Sequence, residues 1–288
     1  MNQFDVTTQS NIVLEPLTLQ PSKPAGIALT IAGTDPSGGA GVMADLKSFQ
    51  SRQVYGMAVI TSVVAQNTLG VKAIQNVDLS MLEAQLACVY DDIAPTAVKT
   101  GMIPNVDMMR IIRKYVDGSV PYVMDPVMVA TSGDYLIDVD ARDKFKSELM
   151  PVATLVTPNL SEAEFLVGFS IESEEQLFKA AHIILNEMGP KSVIIKGGHF
   201  GDAAKDYLFI KGKEPITYES VKLDTKHTHG TGCTFSAVIT AELSKGKSLE
   251  EAVYTGKLFI AKAIATNPSL GHGHGPVNHM AFQGELEA

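Results

Sequence analysis

From residue 26 onward the chain alternates short apolar runs rich in β-branched residues with longer stretches whose apolar side chains recur at helical spacing. The short runs predict strands over 27–32, 57–65, 97–101, 122–125, 154–157 and 192–196, each followed by turn residues or a helix start. The longer stretches predict helices over 42–51, 80–91, 106–117, 142–148, 174–187, 233–244 and 249–265. Repeated alternation of strand and helix gives βαβ units, so the expected fold class is α/β, with a central, mostly parallel sheet flanked by helices. Ligands of such sheets bind beyond the C-terminal ends of the strands, where the following helices point their free N–H groups. The polar clusters of this chain fall repeatedly at those ends, and no internal repeat is evident.

Composition narrows the function classes. With 288 residues, 45% of them apolar, a sizeable core is affordable, and no Gly/Ser-rich or singly charged linker interrupts the chain. One domain is expected over 26–288, behind a flexible N-terminal extension of 1–25 that mixes Gln, Thr, Asn and Glu among isolated hydrophobics. A net charge of −9 argues against a nucleic-acid partner. No stretch reaches the ~18 apolar residues that span a bilayer, so no membrane role is expected. Cys88 and Cys233 stand far apart and offer neither a disulfide framework nor paired metal ligands. A reducing, cytoplasmic location fits that usage.

The strongest chemical signal is the run His227-Thr228-His229-Gly230-Thr231-Gly232-Cys233-Thr234, a glycine-rich turn leading straight into an apolar helix. Glycines let successive N–H groups converge, and the helix dipole adds about half a positive charge at that end, so the segment suits a phosphate. A tight turn whose glycines serve geometry alone reads the same way. A second glycine-rich turn, 33–41, follows the first strand and precedes a helix carrying Asp45 and Lys47. Neither is a Walker A loop: the one Gly-Lys-Ser, at 246–248, has Ala241 where the first glycine belongs. The 38–41 run lacks the Gly-x-Gly-x-x-Gly fingerprint, which sets aside a dinucleotide-dependent oxidoreductase. His272, His274 and His279 resemble a zinc cluster, but no cysteine accompanies them, and a loop near the site is expected instead.

Further blocks complete the pattern: LTIAGTDPSGGAGVMADLK (29–47), VAQNT (64–68), KTGM (99–102), DPVMVATSGD (125–134), TPNLSE (157–162), KGGH (196–199) and THGTGCT (228–234). In this order, over about 26–279, they resemble the ribokinase superfamily, in the branch of hydroxymethylpyrimidine (phosphate) kinases and related pyridoxal kinases. That resemblance implies a ribokinase-like fold with a small β flap, formed around 70–77, over the site. It implies transfer of phosphate from ATP with Mg2+ to 4-amino-5-hydroxymethyl-2-methylpyrimidine and to its monophosphate. Pyridoxal or pyridoxine kinase, and a non-catalytic pyrimidine or vitamin sensor, are the other readings. A homodimer is implied by the resemblance alone.

Carried over residue by residue, the resemblance places Thr228, Gly230, Thr231 and Gly232 in an anion cradle, with Lys196 approaching the ATP phosphates. Lys196 taken alone is also what a solvated strand end would carry. Glu162 and Asp125 would hold Mg2+, partly through water, with Asn159 orienting the same network. The simpler alternatives are an acid at a helix N-terminus for Glu162 and a turn-capping aspartate for Asp125. Where most relatives in the superfamily carry a catalytic aspartate, this chain has Cys233. The dipole of a helix N-terminus would draw its thiol from ~8.5 toward neutrality, making it a proton acceptor, unless it is only a small residue packed under the loop. Gln66 offers an acceptor and donors that match the ring nitrogen and amine of an aminopyrimidine, an edge that pyridoxal lacks. A strand-end glutamine bonded to backbone is its alternative. Ala40, Val64, Met102 and Val127 are expected as apolar walls, with Asp45 contacting a polar substituent or water.

Overall fold

The computed structural model describes residues 23–128, 136, 139–198, 204–221 and 223–282. Of the extension read from sequence, 1–22 lie outside the described residues, as do 129–134 of the aspartate block and His199.

The chain forms β1 (Ile27–Ala32), α1 (Gly41–Ser51), β2 (Tyr55–Ile60), β3 (Ser62–Asn67), β4 (Gly70–Asn76), α2 (Leu79–Asp92), β5 (Ala97–Thr100), α3 (Val106–Tyr115) and β6 (Tyr122–Met124). It continues through α4 (Val139–Glu148), β7 (Leu155–Val156), α5 (Leu160–Val167), α6 (Glu174–Glu187), β8 (Ser192–Gly198), β9 (Ala204–Ile210), β10 (Ile216–Ser220), α7 (Thr231–Ser244) and α8 (Leu249–Ala265). Among the described residues eight strands make one sheet in the order β10-β9-β8-β7-β6-β5-β1-β2, and β3 pairs with β4 as a separate hairpin. The pairings from β2 to β8 are parallel, whereas β9 and β10 join antiparallel at one edge.

Alternation along each strand sends neighbouring side chains to opposite faces. Val98 and Tyr122 join Leu82, Leu86, Met108 and Ile112 under α2 and α3, while Ala97 and Val123 join Phe235, Val238 and Phe259 under α7 and α8. Fully burying a Leu, Phe or Met side chain contributes about 1.5–3 kcal/mol, so the two layers are held firmly against the sheet. From Thr234 to Ser244 every residue of α7 is buried. A helix buried on all sides runs through the interior, and this one carries its N-terminus to the ends of the central strands.

The strand expected over 57–65 is two strands. At buried Thr61 the chain leaves the sheet: its N–H donates to Ala32 (3.0 Å), its hydroxyl to the Met102 carbonyl (2.8 Å), and its carbonyl accepts from Val77 (3.0 Å). Residues 62–67 then pair with 70–76 instead of extending β2, so the flap expected around 70–77 is one arm of a hairpin. The β9 and β10 strands and α5 were not anticipated, and α4 starts at Val139 rather than 142. Among the described residues no helix is long and apolar enough to cross a membrane.

Candidate active site

Gly230 stands immediately before α7 with φ +80. A Cβ there would lie 1.7 Å from the Gly39 carbonyl oxygen, so only glycine lets the two glycine-rich turns touch. Gly232, one residue into the helix, serves otherwise. A Cβ on it would lie 3.4 Å from Lys196 Nζ and 3.7 Å from an Asp125 carboxylate oxygen. Its bare face is therefore open toward a cation and an acid at the mouth of a helix N-terminus, a setting that favours a bound anion.

Asp125 follows β6 and is buried. One carboxylate oxygen accepts from Thr157 Oγ1 (2.9 Å) and Lys196 Nζ (3.4 Å), and the other from Ser236 Oγ (3.1 Å). Burial alone would push this carboxyl up, but Lys196, Lys99 and the two hydroxyls hold it below the usual range. The same carboxylate, with Glu162, keeps the Lys196 ammonium charged against the opposing effect of burial. Lys196 and Asn159 are side by side through a parallel bridge.

Asn159 and Glu162 form a capping box on α5: Asn159 Oδ1 accepts from the Glu162 N–H (2.9 Å) and Glu162 Oε2 from the Asn159 N–H (2.8 Å). The helix-capping alternative is thus present, and the same residues also line the cavity. Burial pushes the Glu162 carboxyl up to about 7; Lys196 opposes this and Asp125 adds to it. In the ligand-free protein the folded state therefore keeps this proton to higher pH than the unfolded chain, and the group's contribution to stability falls as pH rises from about 4.5 to about 7. Glu162→Gln is expected to be more stable than the parent at pH 8 and indistinguishable from it near pH 4. Denaturant midpoints across that range check this, and a constant difference would refute it.

One cavity brings together Ala40, Val64, Gln66, Met102, Val127, Asp125, Asn159, Glu162, Lys196, Thr228, Gly230, Thr231, Gly232 and Cys233. Its lining combines apolar side chains and the Gln66 amide with the glycine turn and the charged groups. Asp45 does not line it. That carboxylate is fully buried, accepting from Lys99 Nζ (2.7 and 2.8 Å) and Thr30 Oγ1 (2.6 Å). The reading of Asp45 as a substrate contact is corrected: α1 turns it toward the sheet, where it neutralises a buried lysine and keeps that ammonium charged. Cys233 needs a second correction. Desolvation pushes its thiol up to about 12, with Lys99 opposing and Asp45 and Asp125 reinforcing. The shift runs opposite to the expected fall toward neutrality.

A second cavity shares Asn159, Lys196, Thr228, Thr231 and Gly232 with the first and continues between β8, β10, α7 and α8 past Asp206, Leu223, Phe235 and Lys257. The sequence reading missed it. Its polar anchor, Asp206, accepts from the Gly197 N–H (2.8 Å) and Lys257 Nζ (2.6 Å), and lies on the unanticipated β9. Lys99 was also missed, although a lysine inside an apolar strand signals a buried partner. The C-terminal histidines do not converge: His279 meets Thr234 Oγ1 (3.0 Å) and His274 the Lys226 carbonyl (3.1 Å).

Residues 35–278 match the family model described as Phosphomethylpyrimidine kinase. A Staphylococcus aureus protein named hydroxymethylpyrimidine/phosphomethylpyrimidine kinase is 57% identical over 260 residues, covering 89% of this chain and 94% of its own. Among solved structures, the ADP complex of Bacillus subtilis pyridoxal kinase is 39% identical with a TM-score of 0.81, covering 89% of this chain and 98% of that one. Staphylococcus aureus pyridoxal kinase bound to pyridoxal is 35% identical with a TM-score of 0.82, covering 91% and 96%.

Proposed function

The chain belongs to the phosphomethylpyrimidine kinase family, and from that footing we propose that it transfers the γ-phosphate of ATP to 4-amino-5-hydroxymethyl-2-methylpyrimidine and then to the monophosphate, supplying the pyrimidine diphosphate of thiamine biosynthesis. The observation that carries this reading is the junction of two cavities at Lys196 and the open face of Gly232. Two reactants reaching that junction from opposite sides would meet where N–H groups and an ammonium can stabilise the transferring group.

In this reading ATP occupies the β8–α8 cavity, with Lys196 and the N–H groups of the 228–232 turn on its phosphates. The pyrimidine lies between Val64, Met102, Val127 and Ala40, its ring nitrogen and amine paired with Gln66. The acceptor oxygen forms a bond to the γ-phosphorus as the bond to the β-phosphate oxygen breaks, and ADP leaves. Burial pushes the Cys233 thiol up, so it would serve as base for the alcohol only in its thiolate form. The monophosphate, with a second pKa of ~6, needs hardly any base.

The oxygen-only set of Asp125 and Glu162, beside Asn159, fits Mg2+, which binds through one or two carboxylates, water and phosphates. When bound it would neutralise phosphate charge. The β3–β4 hairpin would cover the pyrimidine and exclude water. A cytoplasmic homodimer completes the proposal, supported by composition and family resemblance.

Pyridoxal phosphorylation is the second reading, favoured by the structural likeness to pyridoxal kinases. Coupled ADP release with MgATP and, separately, the pyrimidine alcohol, its monophosphate and pyridoxal separates the two. Turnover of the pyrimidines is expected, falling about 10²-fold or more in Gln66→Met, because a buried hydrogen-bonding edge is left unpaired. Cys233→Ala should impair the alcohol more than the monophosphate; equal losses would assign Cys233 to packing. A preference for pyridoxal would overturn the pyrimidine assignment.

A further inference from the structure

The Asp35 carboxylate takes no part in the chemistry above, yet it is fully buried and surrounded by donors. One oxygen accepts from the Ser37 N–H (2.9 Å) and hydroxyl (2.7 Å); the other accepts from the N–H groups of Gly39 (3.2 Å) and Ala40 (2.8 Å) and lies 2.7 Å from His229 Nε2. Four of these contacts close the 33–41 turn upon itself. The fifth crosses to the other glycine-rich turn.

His229 is held at its backbone as well. Its N–H donates to the Gly275 carbonyl (3.1 Å) and its own carbonyl accepts from the Val277 N–H (3.4 Å). The next residue, Gly230, rests directly on Gly39. Ala40, one end of this assembly, lines the same cavity as His229 itself and Gly230 through Cys233 at the other end, Ala40 in the part assigned to the acceptor and the glycine turn in the part assigned to the phosphoryl group. Desolvation would raise the Asp35 carboxyl, but hydrogen bonds from His229 and Ser37, joined by one from Gln66, hold it well below the ordinary range and keep it an acceptor.

We propose that Asp35 and His229 are positioning residues for phosphoryl transfer: their hydrogen bond sets the register between the turn that holds the acceptor and the turn that cradles the transferring group. The inference rests on the kinase reading. In-line transfer needs reacting atoms about 3–3.5 Å apart, and a misplacement of about 1 Å can cost on the order of 10²-fold in rate. The 33–41 turn hangs from β1 and the 228–232 turn from α7, 194 residues apart in sequence, so a direct bond between them fixes a distance that neither element controls alone.

The test compares His229→Leu, which removes the bond, with His229→Gln, whose amide can still donate to Asp35. Both ADP and phosphorylated pyrimidine are measured in the same reaction at saturating MgATP. The parent and His229→Gln should form the two products one to one. His229→Leu should form phosphorylated pyrimidine about 10²-fold more slowly, with ADP in excess as water takes the phosphoryl group, while the KM for ATP changes little. Should His229→Leu not fold, His229→Asn, whose amide is too short to reach Asp35, gives the same comparison. Asp35→Asn is unsuitable because it would turn an N–H donor toward the turn's own N–H groups.

One-to-one coupling and a near-parental rate in His229→Leu would overturn the inference, as would equal losses in the Gln and Leu variants accompanied by loss of ATP affinity. An inactive parent would overturn the kinase reading and this inference with it; an active parent beside an unaffected variant overturns the inference alone.

Discussion

Gly232→Asp is expected to lower phosphoryl transfer by about 10³-fold or more while leaving the fold intact. The backbone at Gly232 is not in the left-handed region, and a Cβ would meet only Lys196 Nζ at 3.4 Å and Asp125 at 3.7 Å. Space therefore exists for a side chain, but it is the space assigned to the phosphoryl group. A carboxylate there would pair with Lys196 and face the incoming phosphates. Like charges about 4 Å apart at an effective dielectric constant of ~20 repel by about 4 kcal/mol, which alone corresponds to roughly 10³-fold in rate. Gly232→Ala adds bulk without charge and should lose much less. Steady-state rates of both variants, read beside their thermal midpoints, check this. Near-parental ATP turnover in Gly232→Asp would remove this turn from the phosphate role.

Asp45→Asn should act on the opposite quantity, costing about 3–5 kcal/mol of stability because it leaves a buried ammonium without its counter-charge. Lys99 and Asp45 are both fully buried and meet at 2.7 Å. The double variant Asp45→Leu, Lys99→Met should recover most of the loss, since apolar groups of similar volume can replace such a pair with little penalty. Urea unfolding of Asp45→Asn and of the double variant measures the loss and its recovery. The KM for the acceptor should stay within about threefold in the folded single variant, as expected when no binding contact is removed. A raised KM with unchanged stability would return Asp45 to the substrate pocket.

These two residues mark where the sequence stopped being sufficient. Gly232 lies in a glycine-rich turn and Asp45 on the helix that follows one, and both were assigned to the ligand. For Gly232 the assignment rests on a local property, a glycine in the first turn of an apolar helix, and the structure turns that glycine's open face to the cavity. For Asp45 the sequence places an acid on a helix whose other buried residues are Val42, Ala44, Ser48 and Phe49. Whether it faces ligand or core depends on what the strand beneath supplies, and that strand supplies Lys99, 54 residues away.

The same division holds for the rest of the molecule. Periodicity of two and of 3.6 is a local signal of which face is buried, so the sequence by itself determined the α/β class, the parallel core strands and the strand-end location of the chemistry. The motif residues themselves, from Gln66 to the 228–234 turn, were legible because each block is short and contiguous. Tertiary structure alone decided the break at Thr61, where hydrogen-bond partners change without any change in hydrophobic pattern. It also decided that burial raises the Cys233 thiol, that β9 and α8 complete a second cavity around Asp206 and Lys257, and that Asp35 meets His229. Each of those outcomes depends on desolvation or on a bond between segments distant in the chain, and both are set by which surfaces pack together.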